Sequence, residues 1–147
     1  MELGVATRAD LARLVELLGI LFEQERELSP DPAKQRRALE LILADPSRAR
    51  IYVAREAGAA IAMAALHFTT STAEGGKVAG LEDCVVHPDR RGRGVGEALL
   101  AYVLEQAKAE GALRVMLLTD GDNATAQALY RKSGFRDSAM LAMRLKL

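Results

Sequence analysis

The feature that most constrains the fold is a basic, glycine-rich turn between an apolar strand and an amphipathic helix. Residues 77–87 have strand character, and three glycines within residues 92–96 then lead into a helix that ends at Gly111. A nearly continuous apolar segment follows at residues 113–119, as expected of a strand that is covered on both faces. Because strand, helix and strand in this order form a crossover, the two strands are predicted to lie parallel.

The rest of the chain predicts further strands and helices around the same sheet. Short turn signals, Glu56-Ala57-Gly58 and Glu74-Gly75-Gly76, separate strand-like segments and favour an antiparallel meander. The predicted strands lie near residues 2–6, 51–54, 60–70, 77–87, 113–119 and 135–146. The predicted helices lie near residues 8–24, 32–45, 96–111 and 124–132. With no linker, repeat or second core, residues 1–147 are expected to form a single domain, a mixed sheet with helices on its faces.

Composition and charge argue against several kinds of partner. Twenty basic and twenty acidic side chains give a formal net charge of zero, so neither nucleic acid nor a membrane surface is expected as a partner. No signal peptide is expected, because residues 1–4 lack a basic segment followed by an apolar run. No run of about 18 apolar residues occurs, and the single cysteine, Cys84, has no partner for an internal disulfide. We therefore expect a cytoplasmic protein. His67 and His87 lack the spacing of metal ligands, so no metal is expected.

The glycine turn has the properties of an anion-binding loop. Glycines let backbone amides turn inward, and the positive end of the following helix adds to their attraction for an anion. Arg91 and Arg93 supply further positive charge. The dinucleotide fingerprint G-x-G-x-x-G fails, because Glu97 and Leu99 stand where its third glycine is required. The P-loop pattern is also missing, so the turn predicts a phosphate or pyrophosphate site of another kind.

Two spaced patterns together resemble a known signature. The first, R-x-x-G-x-G, is met by Arg91, Gly94 and Gly96. The second, N-x-x-A-x-x-x-Y-x-x-x-G-F, is met downstream by Asn123, Ala126, Tyr130, Gly134 and Phe135. The segment 81–135 resembles the acetyl-CoA core of the GNAT acetyltransferase superfamily, in particular its polyamine and glucosamine-phosphate acetyltransferases. The resemblance implies an α/β fold (α+β by some schemes) with a mixed sheet of six to seven strands and about four helices.

The resemblance also implies acetyl-CoA as co-substrate and assigns positions to it. Backbone groups on the strand before the turn would pair with the pantetheine arm as an added strand does, and amides of the turn would hold the pyrophosphate. Asn123 would meet the pantetheine chain, and Tyr130 would lie beside the sulfur. The implied cofactor-binding residues are Cys84, Val85, Val86, Arg91, Gly92, Arg93, Gly94, Val95, Gly96, Asn123 and Tyr130.

Acetyl transfer to an amine needs a base for the amine proton and an acid for the departing thiolate. Tyr130 is the predicted acid, since a phenol with a pKa of about 10 can protonate a thiolate at short range. Glu82 is the first choice for the base, with Asp83 and a water chain as alternatives. Strand alternation places these two carboxylates on opposite faces, so at most one is expected to face the cleft. Cys84 is interpreted as a buried strand thiol rather than an acyl-accepting nucleophile.

The predicted function is acetyl transfer from acetyl-CoA to a primary amine by direct attack in a ternary complex. A small-molecule acceptor is preferred, because Glu23, Glu25 and Glu27 would present negative charge to a cationic amine. The alternatives are a protein or peptide acetyltransferase, a non-catalytic CoA-binding sensor and a structural dimer module. A homodimer is expected, because a partner would cover the apolar run Met140-Leu141-Ala142-Met143.

Overall fold

A mixed sheet forms the centre of the chain in a computed structural model that describes residues 1–25 and 27–147. Its five strands are β1 (Glu2–Val5), β2 (Ala49–Glu56), β3 (Ala59–Ser71), β4 (Gly76–Val86) and β5 (Val115–Leu117). The helices are α1 (Leu11–Gln24), α2 (Pro32–Ala44), α3 (Val95–Ala109) and α4 (Ala124–Lys132), with short 3-10 helices at Arg8–Asp10 and Pro88–Arg90. None of the helices in the described ranges is both long and apolar enough to cross a bilayer.

The strand order follows the chain, β1-β2-β3-β4-β5, and only the last pair is parallel. The predicted meander is therefore confirmed for β2, β3 and β4, which pair antiparallel through short turns. The predicted crossover is confirmed as well, since β4 pairs parallel with β5 and α3 connects them. The mixed sheet and its four flanking helices agree with the expected fold class.

Apolar side chains fill both faces of the sheet. On one face α1 and α2 pack through Leu14, Leu17 and Leu39 against inward residues of β2 and β3, such as Val53. On the other face α3 packs against β2, β3 and β4. The buried residues of this second core include Tyr52, Ala54, Leu66, Leu81, Leu99, Leu100 and Val103. Because both layers are anchored on β2–β4, the helix ends near the carboxyl end of β4 are held in fixed positions.

The predicted last strand is wrong, and so is the expected number of six to seven strands. No residue from 133 to 147 belongs to a strand, and the described part of the chain has five strands. Two physical reasons account for the difference. With only three residues, β5 offers few backbone groups to a further strand. The run 140–143 is uniformly apolar and does not alternate, so it defines no single buried face; Leu141 and Met143 are 90% and 93% exposed.

Candidate active site

The candidate site lies where β4 and β5 separate. The two strands pair only from Ala79–Val115 to Leu81–Leu117, where β5 ends while β4 continues to Val86. Residues 82–86 therefore have one edge that β5 does not cover. Such an edge is suited to an extended ligand that pairs with the backbone as an added strand. Three residues assigned to the cofactor by resemblance, at positions 84–86, lie on this segment.

A bulge interrupts β4 at the same place. The ladder between β3 and β4 shifts between Met63, which faces Val85, and Ala65, which faces Glu82. Asp83 has a φ of 54°, a left-handed conformation that is uncommon for a non-glycine residue and that fits an extra residue in the strand. The expectation that only one of the two neighbouring carboxylates would face the cleft assumed regular alternation. Both instead contribute to the wall of one cavity.

The glycine turn positions the amino end of α3 beside this segment. Gly94 is the residue before the helix, with a φ of 78°, and Gly92 has a φ of 75°. Both positions are left-handed, which only glycine adopts without strain. No side chain caps the first turn of α3, so its free N–H groups and the positive helix end remain available to an anion. The turn thus has the geometry that pyrophosphate binding requires.

Gly96 has a different role from the two glycines before it. A Cβ there would lie 3.3 Å from Val86 Cγ2 and 3.5 Å from Leu129 Cδ2. The missing side chain therefore lets α3 approach both β4 and α4 closely. This close packing brings the helix end, the strand edge and Tyr130 on α4 into one region.

The two arginines assigned to the cofactor are placed differently. Arg91 folds back onto β4, where its Nε donates to the Val86 carbonyl at 3.0 Å. The Gln24 amide, with its oxygen turned towards Arg91, accepts from Nη2 at 2.8 Å. Arg91 thereby connects the carboxyl ends of α1 and β4. Arg93 is exposed beside the turn, where its charge can reach a bound phosphate.

A cavity of about 270 Å³ opens between the separated strands, the end of α1 and the first turn of α4. Its wall is made of leucines and of acidic side chains. The described residues that line it are Leu21, Gln24, Glu25, Glu27, Leu28, Leu81, Glu82, Asp83, Cys84, Leu117, Leu118, Thr119, Asp120, Asn123, Ala126, Tyr130, Ala142 and Arg144. The two predicted catalytic residues are therefore brought together in this cavity, whereas the glycine turn lies outside its lining.

Tyr130 has the properties of an acid. Its ring stacks edge-on against Phe135 at 6.0 Å, and its hydroxyl lies near the thiol of Cys84. Burial, followed by the nearby Cys84, raises the pKa of Tyr130 well above its ordinary value. The phenol therefore keeps its proton at neutral pH and can donate it to a thiolate that forms beside it, although the raised pKa makes it a weaker acid than a free tyrosine. Burial likewise raises the pKa of the Cys84 thiol to about 11, which leaves a neutral thiol that is a poor nucleophile.

Asp83 and Glu82 differ in their surroundings. Burial, reinforced by the charge of Glu82, raises the pKa of Asp83 to about 6, while His67 acts in the opposite direction. Glu82 is 65% exposed at its side chain, and its Oε2 lies 3.7 Å from His67 Nε2. A partly desolvated carboxyl with a pKa near 6 is suited to accept a proton at neutral pH. Burial and the raised pKa make Asp83 a better candidate for the base than the exposed Glu82.

Sequence comparison agrees with this arrangement. The sequence profile described as "Acetyltransferase (GNAT) family" matches residues 12–135, which is most of the chain. The chain belongs to this family. The family predicted from the two spaced patterns is therefore confirmed.

The relatives of this GNAT chain carry different names. A glucosamine 6-phosphate N-acetyltransferase of Trypanosoma brucei brucei is 30% identical over 141 residues, which cover 92% of this chain and 89% of the relative. A mycothiol acetyltransferase of Clavibacter michiganensis is 51% identical over 55 residues, or 37% of this chain. The matched segment is only 18% of that protein's length. A putative acetyltransferase structure from Agrobacterium tumefaciens is 29% identical and superposes with a TM-score of 0.83 over 100% of both chains.

The sequence analysis missed one feature of each of two cavity residues: the helix cap formed by Asn123 and the position of Asp120 in the cavity wall. Asn123, expected to meet pantetheine, also caps α4, and its Oδ1 accepts from the Ala126 amide at 3.2 Å; an asparagine directly before a helix indicates such a cap. Asp120 lies on the loop after β5 and was not predicted as a site residue. No motif marks it, because only the fold brings this loop opposite the end of α1.

Proposed function

We propose that this GNAT-family chain transfers the acetyl group of acetyl-CoA to the primary amine of a small molecule, by direct attack while both substrates are bound. One observation carries the proposal. A phenol that stays protonated, Tyr130, and a carboxyl with a pKa of about 6, Asp83, line the same cavity. Acetyl transfer needs a base that takes the proton of the amine and an acid that protonates the departing thiolate, and two groups with separated pKa values can fill these two roles.

The chain's own residues fit acetyl-CoA, the co-substrate used by GNAT acetyltransferases. The free amino end of α3 and the left-handed Gly92 and Gly94 suit its pyrophosphate. The uncovered edge of residues 82–86 suits the amide groups of its pantetheine arm. Bound there, acetyl-CoA supplies an acetyl thioester next to the cavity.

The two proton transfers are assigned to the two sides of the cavity. An alkylamine is almost fully protonated at neutral pH, so the ammonium must lose a proton before its nitrogen can form the new C–N bond. Asp83 accepts that proton directly or through a water molecule, and Glu82 attracts the ammonium from its more exposed position. When the C–S bond breaks, Tyr130 donates its proton to the departing thiolate and regains one from solvent.

The size of the cavity favours a small acceptor over a protein segment. About 270 Å³ is just below the usual range of small-molecule sites, which begins at about 300 Å³. The Trypanosoma relative is named for an amino-sugar phosphate, which also carries a small primary amine. A protein or peptide amine and a non-catalytic CoA sensor remain the alternatives that an experiment has to separate.

A transfer assay over an amine panel tests the proposal, with release of free CoA as the readout. The panel contains simple alkylamines, amino sugars with and without phosphate, free amino acids and a lysine peptide. We expect acetyl-CoA-dependent turnover with at least one small amine. Thermal stabilisation by acetyl-CoA without CoA release for any member would favour the sensor, and turnover confined to the peptide would favour the protein acetyltransferase.

A homodimer is proposed from the carboxyl-terminal residues. Met140, Leu141 and Met143 are 79%, 90% and 93% exposed, and an apolar stretch of this kind is stabilised when a partner covers it. Light scattering at micromolar concentration should give about twice the 15.9 kDa of one chain. Leu141→Glu should shift this mass towards the monomer, whereas Leu41→Glu on the exposed face of α2 should not. A wild-type mass equal to that of one chain would contradict the proposal.

A further inference from the structure

The wall of the cavity has an uneven distribution of charge. Among the described residues that line it, five are acidic and one is basic. The basic residue, Arg144, contacts Glu27 at 2.5 Å, so part of its charge is already matched. This imbalance contrasts with the formal charge of zero for the whole chain. A cavity with this excess attracts cations and repels anions.

The acidic groups come from three separate elements. Glu25 follows α1, Asp83 lies on the bulge of β4, and Asp120 lies on the loop after β5. No hydrogen bond or ion pair holds the carboxylate of Asp83 or Asp120 in the described part of the chain. Glu25, Asp83 and Asp120 line the same cavity, and burial, followed by the charges of Asp120 and Asp83, raises the pKa of Glu25. A bound cation would relieve the repulsion between these charges.

Apolar side chains share the wall of the cavity with the carboxylates. Leu21, Leu81 and Leu117 contribute to the same wall and can contact an aliphatic chain. No three potential ligands within residues 1–25 and 27–147 are grouped closely enough to hold a metal ion. Carboxylates from three elements, with apolar side chains in the same wall, are complementary to a molecule that joins two positive charges through methylene groups.

We infer that the acceptor is a small alkyl amine with a second positive charge, and that Glu25 and Asp120 bind the charge that does not react. This inference rests on the proposed function, because it takes the Asp83 and Tyr130 end of the cavity as the place of transfer. One amino group lies at Asp83 and is acetylated, while the other stays protonated between Glu25 and Asp120. A phosphate on the acceptor would face the same carboxylates and weaken binding.

Matched acceptors test the inference. Butylamine and 1,4-diaminobutane have the same length and differ in one charge, and glucosamine and glucosamine 6-phosphate differ in one phosphate. We expect the diamine to exceed butylamine in kcat/KM by a factor of about ten, and glucosamine to exceed its phosphate, as expected for partly screened charges at short range. A butylamine value equal to or above that of the diamine, or a preference for the phosphate, would overturn the inference.

Charge-neutral variants identify the residues. Glu25→Gln and Asp120→Asn should each lower kcat/KM for the diamine by a factor of about five and change that for butylamine less than twofold. Glu23→Gln is the control, because Glu23 is an exposed residue of α1 outside the cavity wall. Thermal unfolding of each variant checks that the fold is retained. Equal losses for both amines, or losses no larger than in Glu23→Gln, would overturn the assignment.

Calorimetry separates this inference from the proposed function. Binding of the diamine and of butylamine to the CoA-loaded protein is measured for the wild type and for Glu25→Gln. A diamine preference that Glu25→Gln abolishes supports the inference, even if no amine is acetylated and the proposed function fails. Equal binding of both amines overturns the inference, even if both are acetylated and the proposed function stands.

Discussion

The two sides of the site use different parts of the polypeptide. The proposed cofactor side consists mainly of backbone: the left-handed Gly92 and Gly94, the uncapped amino end of α3 and the open edge of β4. The proposed acceptor side consists of side chains, with the acidic groups of Glu25, Asp83 and Asp120 on three elements. Tyr130 on α4 lies at the boundary, where the thioester would meet the amine.

This difference explains how one family accommodates different acceptors. A backbone site depends on glycine spacing and on helix placement, so it tolerates changes in most side chains. A side-chain site changes charge with a single substitution in a loop or at a helix end. The relatives fit this view: they share the acetyltransferase name but differ in the molecules for which they are named.

The largest expected effect lies at the boundary between the two sides. Tyr130→Phe removes the acidic proton and keeps the ring against Phe135. We expect kcat to fall by a factor of about 10² to 10⁴, the usual contribution of general acid catalysis, with little change in acetyl-CoA affinity. Steady-state kinetics with the best acceptor and calorimetry with acetyl-CoA measure the two quantities. A wild-type kcat would remove Tyr130 from the mechanism.

Asp83→Asn should lower kcat/KM for the acceptor without weakening acetyl-CoA binding. The base must be deprotonated to act, and the pKa of Asp83 is about 6, so kcat/KM of the wild type should fall as pH drops below about 6. The variant should lose a factor of about 10² at neutral pH and show no break near pH 6; its kcat/KM should instead rise steadily with pH, because only the free amine in solution then reacts. A pH–rate profile from pH 5 to 9 measures both.

Glu82→Gln is the matched control for this experiment. Its carboxylate is more exposed and lies near His67, so its loss should lower kcat/KM severalfold through weaker attraction of the ammonium and leave the break near pH 6 in place. The opposite result, a break that disappears with Glu82 and persists in Asp83→Asn, would return the role of base to Glu82.

How much could be predicted from the sequence differs between the two sides. Glycine spacing and the apolar strand at 113–119 predict the crossover and the cofactor turn, because such signals are local. The bulge at Asp83 has only a weak local signal, since aspartate adopts a left-handed conformation more readily than most residues but far less readily than glycine. A prediction based on regular alternation therefore allowed only one of Glu82 and Asp83 to face the cleft, whereas both line the cavity. Asp120 could not be predicted either, because its proximity to Glu25 depends on tertiary packing.

The structure of the carboxyl-terminal residues 135–147 was also not predicted correctly from the sequence. Apolar composition predicted a strand there, but a strand also needs a neighbouring edge with matching hydrogen-bonding groups. The three residues of β5 offer little such edge, and Met140 and Leu141 stay exposed. The matched family profile ends at residue 135, so the core motifs carry no information about this segment.

Gly94→Ala tests the cofactor side with a smaller expected effect. An alanine at a φ of 78° has open space for its Cβ but a strained backbone, which costs about 1–2 kcal/mol. We expect this strain to appear as weaker acetyl-CoA binding, up to about tenfold, or as lower stability. Calorimetry and thermal unfolding together capture both. Gly19→Ala is the control, because Gly19 lies in the middle of α1 with open space around it. It should lower neither the affinity for acetyl-CoA nor the stability, since alanine favours a helix.

The smallest expected effect concerns the one described cation in the cavity wall. Arg144 pairs with Glu27, and both side chains are largely exposed, so the pair contributes little to stability. Arg144→Ala releases the charge of Glu27 and should raise kcat/KM for a cationic acceptor by about twofold, opposite in sign to Glu25→Gln. The gain should disappear in high salt, because exposed charges are screened. Lys146→Ala removes a nearby charge that does not line the cavity and should change nothing. A decrease in Arg144→Ala would mean that this arginine contacts the acceptor, and the acidic side would then have to recognise a negative group as well.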